Sequence, residues 1–279
     1  PFYDAYGAAI TMAGAVRRSV PLRPGPHGFH FDEADLRAAA GPRTRLLILN
    51  SPHNPTGKVF TREELETIAA VCLEHDLLVI TDEVYEYLCF DGRTHHTIAS
   101  VEGMADRTIV VSSAGKTFNA TGWKVGWLCG PATLVGRVRD VKQYLSFAGG
   151  TPLQHAVATA LQECTAWIEE SCADLQRSRD ILVHGLTAAG VRVYPSEGTY
   201  FVQVDARSFG HDDGVELCRA LPEVAGVAGV PSAVFFDSVD LGRPLVRFAF
   251  CKRPDVIEEA VARLSALARA SDPIEGNNE

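Results

Sequence analysis

Three apolar runs decide most of what this chain can become: RLLILN at 45–50, LLVIT at 77–81 and TIVVSS at 108–113. Each is short and unbroken, the pattern of a strand covered on both faces. After the first run comes SPHNPTG, which is turn chemistry throughout. Thr61 and Glu64 then form a T-x-x-E capping box, and a helix is expected from there to about His75. VGWLCG at 125–130 reads as a fourth strand. Strands alternating with helices require right-handed crossovers. The expected fold is therefore α/β, a mostly parallel sheet covered by helices.

The pattern changes near residue 150. From Thr151 to about Leu186 apolar residues such as Ala156, Ala160, Leu161, Cys164, Trp167 and Ile168 recur at helical spacing. Two strands then flank a turn at 196–198, LVRFAFCK (245–252) reads as another strand, and an amphipathic helix runs from Asp255 to about Ala270. SDPIEGNNE closes the chain as a frayed tail. The expected organisation is a large domain over 1–150, a long connecting helix over 151–185 and a smaller C-terminal α+β domain over 186–279.

The net charge of -9 and the absence of any basic run argue against nucleic acid or an anionic membrane as partner. No apolar run approaches the roughly 18 residues of a membrane span, and no signal-peptide pattern opens the chain. The seven cysteines are scattered without a C-x-x-C. They read as reduced, mostly buried thiols of a cytoplasmic protein. His53, His95 and His96 read as turn and surface residues, so no metal site is expected.

The three apolar runs each lead into polar groups: Asn54 after the first, Asp82 with Tyr85 after the second, Ser113 with Lys116 at the third. Strand C-termini share one edge of a parallel sheet, and ligands bind in the crevice beyond it. Two of the chain's five lysines, Lys116 and Lys124, lie in SSAGKTFNATGWKVGW, a stretch of small, aromatic and apolar residues. A lysine amine held away from water is a usable nucleophile. An amine, a carboxylate, a phenol and a carboxamide on one edge match the needs of pyridoxal phosphate. Its aldehyde takes a lysine as a Schiff base, and its ring nitrogen needs a carboxylate to stay protonated. Its ring oxygen wants donors, which Tyr85 and Asn54 supply, and its phosphate wants the cation of Lys124 and the hydroxyl of Ser113.

With NSPHNPTGKVF, ITDEVYE, SSAGKTFNATGWKVGW and LVRFAFCK in this order, the chain resembles the class I/II, fold-type I aminotransferases over essentially its whole length. Within that family the likeness is to N-succinyldiaminopimelate aminotransferases and to kynurenine aminotransferases, the latter also cysteine-S-conjugate β-lyases. The resemblance implies that Lys116 carries the cofactor, Asp82 pairs with the ring nitrogen, Asn54 and Tyr85 hold the ring oxygen, and Ser113 and Lys124 hold the phosphate. It implies that Arg247 grips the substrate α-carboxylate, with Asn54 beside it, and that Tyr3 stacks on the ring. The implied activity moves an amino group between an amino acid and a 2-oxo acid in a homodimer. Lysine biosynthesis from N-succinyl-2-amino-6-oxopimelate and glutamate is the first expectation for it. Kynurenine- or glutamine-type transamination, or β-elimination, is the alternative, and a catalytically silent binding domain is the rival of another class. Family members also carry a segment ahead of PFY that covers the phosphate and closes the substrate pocket. This chain is expected to lack it, and so to bind the cofactor more weakly than a longer form.

Overall fold

The structure is a computed structural model that describes residues 1–271. The tail expected over 271–279 therefore lies, beyond Ser271, outside the described residues.

The site-bearing half is built on a four-stranded sheet. A short helix, α1 (Asp4–Met12), a hairpin of β1 (Arg23–Gly25) and β2 (Gly28–His30), and α2 (Glu33–Ala39) come first. Then β3 (Leu46–Asn50) leads through the SPHNPTG loop into α3 (Arg62–Glu74), β4 (Leu78–Asp82) and β5 (Thr108–Ser113). The expected capping box is present: Thr61 Oγ1 accepts from the Glu64 amide at 3.2 Å, and Glu64 accepts from the Thr61 amide at 2.9 Å. Strands β3, β4 and β5 are parallel. A one-turn helix, α4 (Ala114–Thr117), and β6 (Gly126–Cys129) follow. β6 runs antiparallel to β5, so the mostly parallel sheet is mixed at that edge. The link over residues 114–125 carries only the one-turn α4 and a 3-10 turn at Thr121–Trp123, with no helix to take the chain back across the sheet for a parallel return.

The expected single helix over 151–185 is two helices. After α5 (Ala132–Leu145), α6 (Thr151–Glu163) ends and α7 (Thr165–Ala188) begins at Cys164, whose φ of -108° and ψ of 29° leave the helical region. The C-terminal part is an antiparallel sheet in the order β7 (Val193–Tyr194), β8 (Phe201–Asp205), β10 (Leu245–Ala249), β9 (Val230–Pro231). It is backed by α7, α8 (Gly214–Val224) and α10 (Pro254–Ser271), with the short α9 (Val239–Gly242) beside it. The apolar core falls into two main clusters. One surrounds β3, β4 and α3 (Leu49, Leu65, Val71, Val79), and the other lies between β8, β10 and the helices behind them (Val202, Val204, Val246, Leu264).

The two parts are joined at the turn before β8. A Cβ on Gly198 would stand 2.6 Å from the Leu88 carbonyl oxygen and 2.9 Å from Val59 Cγ2. Backbone cannot retreat as a flexible side chain can. Gly198→Ala is expected to destabilise the protein by about 3 kcal/mol, the upper end of overpacking costs. Urea unfolding measures this, and an unchanged midpoint would contradict so close an approach.

Among the seven cysteines, all free, only Cys72 is buried, while Cys129 and Cys251 are exposed. The expectation of mostly buried thiols is thus corrected. The histidines also depart from expectation. His53 is buried, its Nδ1 2.7 Å from Thr56 Oγ1, and His95 Nε2 sits 2.9 Å from the buried carboxylate of Glu83.

Candidate active site

The C-terminal ends of β3, β4 and β5 meet on one edge. Asn50 and Asp82 are register partners across β3 and β4, and Asp82 pairs with Val111 on β5. Asn50 Nδ2 donates to the Asp82 carbonyl at 2.8 Å, and Asn50 Oδ1 accepts the Asn54 amide at 2.8 Å. One carboxamide thereby fixes the start of the 51–57 loop against the end of β4. From the other sheet, Gln203 Nε2 donates to the Pro55 carbonyl at 2.9 Å.

Asp82 is half-buried at the end of β4. Its Oδ2 accepts the Tyr6 hydroxyl at 2.5 Å, and its Oδ1 accepts the Val84 amide at 3.2 Å. Burial raises its carboxyl above the ordinary range, although Tyr6, Val84 and the Lys116 ammonium all pull it down. Tyr6 responds in kind: burial, then the Asp82 charge, push its phenol upward, so it stays a donor. Tyr6 was not legible in the sequence. The available signal was its position three residues after Tyr3, which puts both rings on one side of the first turn of α1. The two rings meet edge to face at 5.7 Å. Tyr6→Phe removes a hydrogen bond to a charged acceptor, and is expected to cost about 2 kcal/mol in urea unfolding. No loss would mean that Asp82 does not depend on this donor.

Lys116 projects from α4, and its Nζ donates to the Tyr200 hydroxyl at 3.0 Å. Tyr85, buried, stands edge-on to Tyr200 with ring centroids 5.3 Å apart, and burial raises its phenol. Nothing local in the sequence marks Tyr200 either. Arg247, on β10, donates from Nη1 to Asn54 Oδ1 at 2.7 Å. Its guanidinium lies 4.0 Å from the Phe201 ring centroid and 4.8 Å from that of Phe235, and burial lowers its pKa. A guanidinium only donates, so this contact fixes the Asn54 amide: the oxygen faces Arg247 and the NH2 is left to donate elsewhere.

Asn54, Asp82, Tyr85, Lys116 and Arg247 are thus linked through neighbouring side chains. Tyr3 lies at the rim, its side chain exposed. Ser113 directly precedes α4. Lys124 sits at a left-handed turn (φ 54°) and is exposed rather than desolvated. Neither the Ser113 hydroxyl nor the Lys124 ammonium is engaged by another side chain among the described residues.

This donor set fits pyridoxal phosphate. Among the described residues the Lys116 amine is hydrogen-bonded only to the Tyr200 hydroxyl, Asp82 keeps acceptor capacity for a ring nitrogen, the Asn54 NH2 and the Tyr85 hydroxyl can meet the ring oxygen, and an uncommitted cation and hydroxyl are present for the phosphate.

Comparison with known proteins agrees with that chemistry. The model of the family "Aminotransferase class I and II" matches residues 1–264. A probable N-succinyldiaminopimelate aminotransferase of Mycobacterium tuberculosis is 51% identical over 276 residues, covering 96% of this chain and 70% of the relative. A kynurenine–oxoglutarate transaminase of Dictyostelium discoideum is 37% identical, covering 96% and 70%. The solved structure of N-succinyldiaminopimelate aminotransferase from M. tuberculosis superposes with a TM-score of 0.93 at 53% identity, covering 96% of this chain and 70% of that one.

Proposed function

The chain belongs to the class I and II aminotransferases, enzymes of fold type I that work with pyridoxal 5′-phosphate, and from that premise we propose that its amino acid is N-succinyldiaminopimelate, in lysine biosynthesis. The relative at 51% identity supports this substrate. The observation that carries the chemistry is the Lys116 amine, on a neutral partner, close enough to Asp82 for their charges to interact.

When bound, the cofactor supplies an electron sink for the negative charge left at the substrate α-carbon. Lys116 is its covalent anchor. With the cofactor bound, Lys116 Nζ would serve as the general base that takes the substrate α-proton and as the acid that gives it back. Asp82 holds the proton on the ring nitrogen. Tyr85 and the Asn54 NH2 donate to the ring oxygen, Ser113 and Lys124 hold the phosphate, and Tyr3 covers the ring. Arg247 grips the α-carboxylate. Its planar fork suits a bidentate contact, and Phe201 and Phe235 restrict how the guanidinium can turn.

We further propose that residues 1–150 hold the cofactor and that 186–279, joined through 151–185, bring Arg247 to it. The active form is proposed to be a cytoplasmic homodimer. Val141, Tyr144 and Leu145 share one face of α5, and with Phe147 they are 60–87% exposed, an apolar set that a second copy would cover. Among the described residues no helix is long and apolar enough to cross a membrane.

The test is a substrate panel. The cofactor-loaded protein, given 2-oxoglutarate, should show its highest kcat/KM with N-succinyldiaminopimelate. A preference for kynurenine or methionine would overturn the substrate while leaving the reaction class intact.

A further inference from the structure

We propose that Tyr200 positions the Lys116 amine: its hydroxyl oxygen is the seat that Nζ occupies whenever it is not bonded to the cofactor. This rests on the reading of Lys116 as the covalent anchor.

The geometry begins with the 3.0 Å contact from Nζ to the Tyr200 oxygen. Lys116 has no carboxylate partner within ion-pair distance among the described residues, so it is the Tyr200 oxygen that holds the amine. The ammonium lies 5.9 Å from the Tyr85 ring centroid and 5.7 Å from that of Tyr200, which limits where it can go. A lysine has a flexible four-carbon stem. Once displaced from the cofactor it must still be found next to the α-carbon, and a fixed acceptor shortens that search.

Tyr200 is itself held from several sides. Its ring meets Tyr85 edge to face at 5.3 Å and Phe201 at 4.5 Å. Its carbonyl accepts the Phe250 amide at 3.0 Å. The preceding residue, Thr199, is fully buried at φ 68°. A β-branched residue at positive φ is strained, and such strain persists only where the surroundings over-determine it. Here they do. The Thr199 amide donates to the Leu88 carbonyl at 3.0 Å, and its Oγ1 accepts the Phe201 amide at 3.1 Å. Ser196 Oγ donates to the Phe201 carbonyl at 2.7 Å, and Gly198 is pressed against Leu88. This constrained turn immediately precedes the phenol that receives the amine.

The role is one of placement. Attachment joins the amine nitrogen to the cofactor's aldehyde carbon, breaks the carbon–oxygen double bond and releases that oxygen as water with the two amine hydrogens. Tyr200 loses and gains no atom in that step. It holds the nitrogen.

Tyr200→Phe keeps the ring and removes only the hydroxyl. In cofactor-free protein, attachment of pyridoxal phosphate is followed by absorbance, and borohydride reduction with peptide mapping locates it. Attachment at Lys116 is expected to be about tenfold slower in the variant, the scale of one lost hydrogen bond to a charged group, with an unchanged melting temperature. With α-deuterated substrate, the loaded variant is expected to show a larger isotope effect on kcat at an unchanged KM, because proton movement becomes the slower step. Equal attachment rates and equal isotope effects would overturn the proposal. So would slower attachment accompanied by a lowered melting temperature, which would make Tyr200 a packing residue. Failure of the parent protein to attach the cofactor at Lys116 would instead overturn the functional reading beneath it.

Discussion

Lys116→Ala is expected to abolish transamination, lowering kcat by about four orders of magnitude or more while leaving the fold intact. Two functions leave together. The covalent anchor is gone, and so is the base that carries the α-proton, which by itself contributes roughly 10²–10⁴. The fold should survive because Lys116 is only half-buried and, among the described residues, its one side-chain hydrogen bond is to Tyr200. The measurement is a single-turnover assay with amino acid on cofactor-loaded protein, with circular dichroism alongside. Residual activity above a few per cent of the parent would remove Lys116 from the centre of the mechanism. Lys124 offers an internal control: it is exposed and lies among the residues proposed for the phosphate, so Lys124→Ala should weaken cofactor affinity and leave the anchor in place.

Asp82→Ala is expected to leave the cofactor bound and to lower kcat by about 10²–10³, the scale of removing one preorganised charge partner from a transition state. A ring nitrogen without its proton is a poor electron sink. The energetics of the folded protein point the other way. Burial raises the Asp82 carboxyl, so its charge is held at a cost that Tyr6, Val84 and Lys116 only partly offset. Alanine removes that cost but strands the Tyr6 hydroxyl, so stability should change little compared with the loss of turnover. Stopped-flow turnover and urea unfolding on the same samples separate the two effects. Unchanged turnover with an unchanged cofactor spectrum would contradict the role.

Much of the site is legible in the sequence because the signal is local. Asp82 closes an apolar run, Asn54 sits in a Pro-rich turn after another, and Lys116 follows a third. A parallel sheet then brings such strand ends together, as the register of Asn50 with Asp82 shows. What escapes is pairing across long separations. Tyr6 reaches Asp82 from 76 residues away and Tyr200 reaches Lys116 from 84, and no periodicity reports on either. Strand direction escapes as well: VGWLCG reads as a strand, but nothing in its composition says that β6 turns back along β5. The break at Cys164 is invisible for a related reason. Apolar residues keep helical spacing on both sides of it, and only the backbone departs. Burial of individual polar groups depends on tertiary neighbours, which is why His53 and the cysteines differ from expectation.

Lys116, proposed as the cofactor's anchor, stands at the meeting point of β3, β4 and β5. The most direct test adds pyridoxal phosphate to the purified protein, reduces with borohydride, digests and maps the modified peptide by mass. A single stoichiometric label on Lys116 is the expected result. A label on Lys124 or spread over surface lysines, or no label at all, would contradict it.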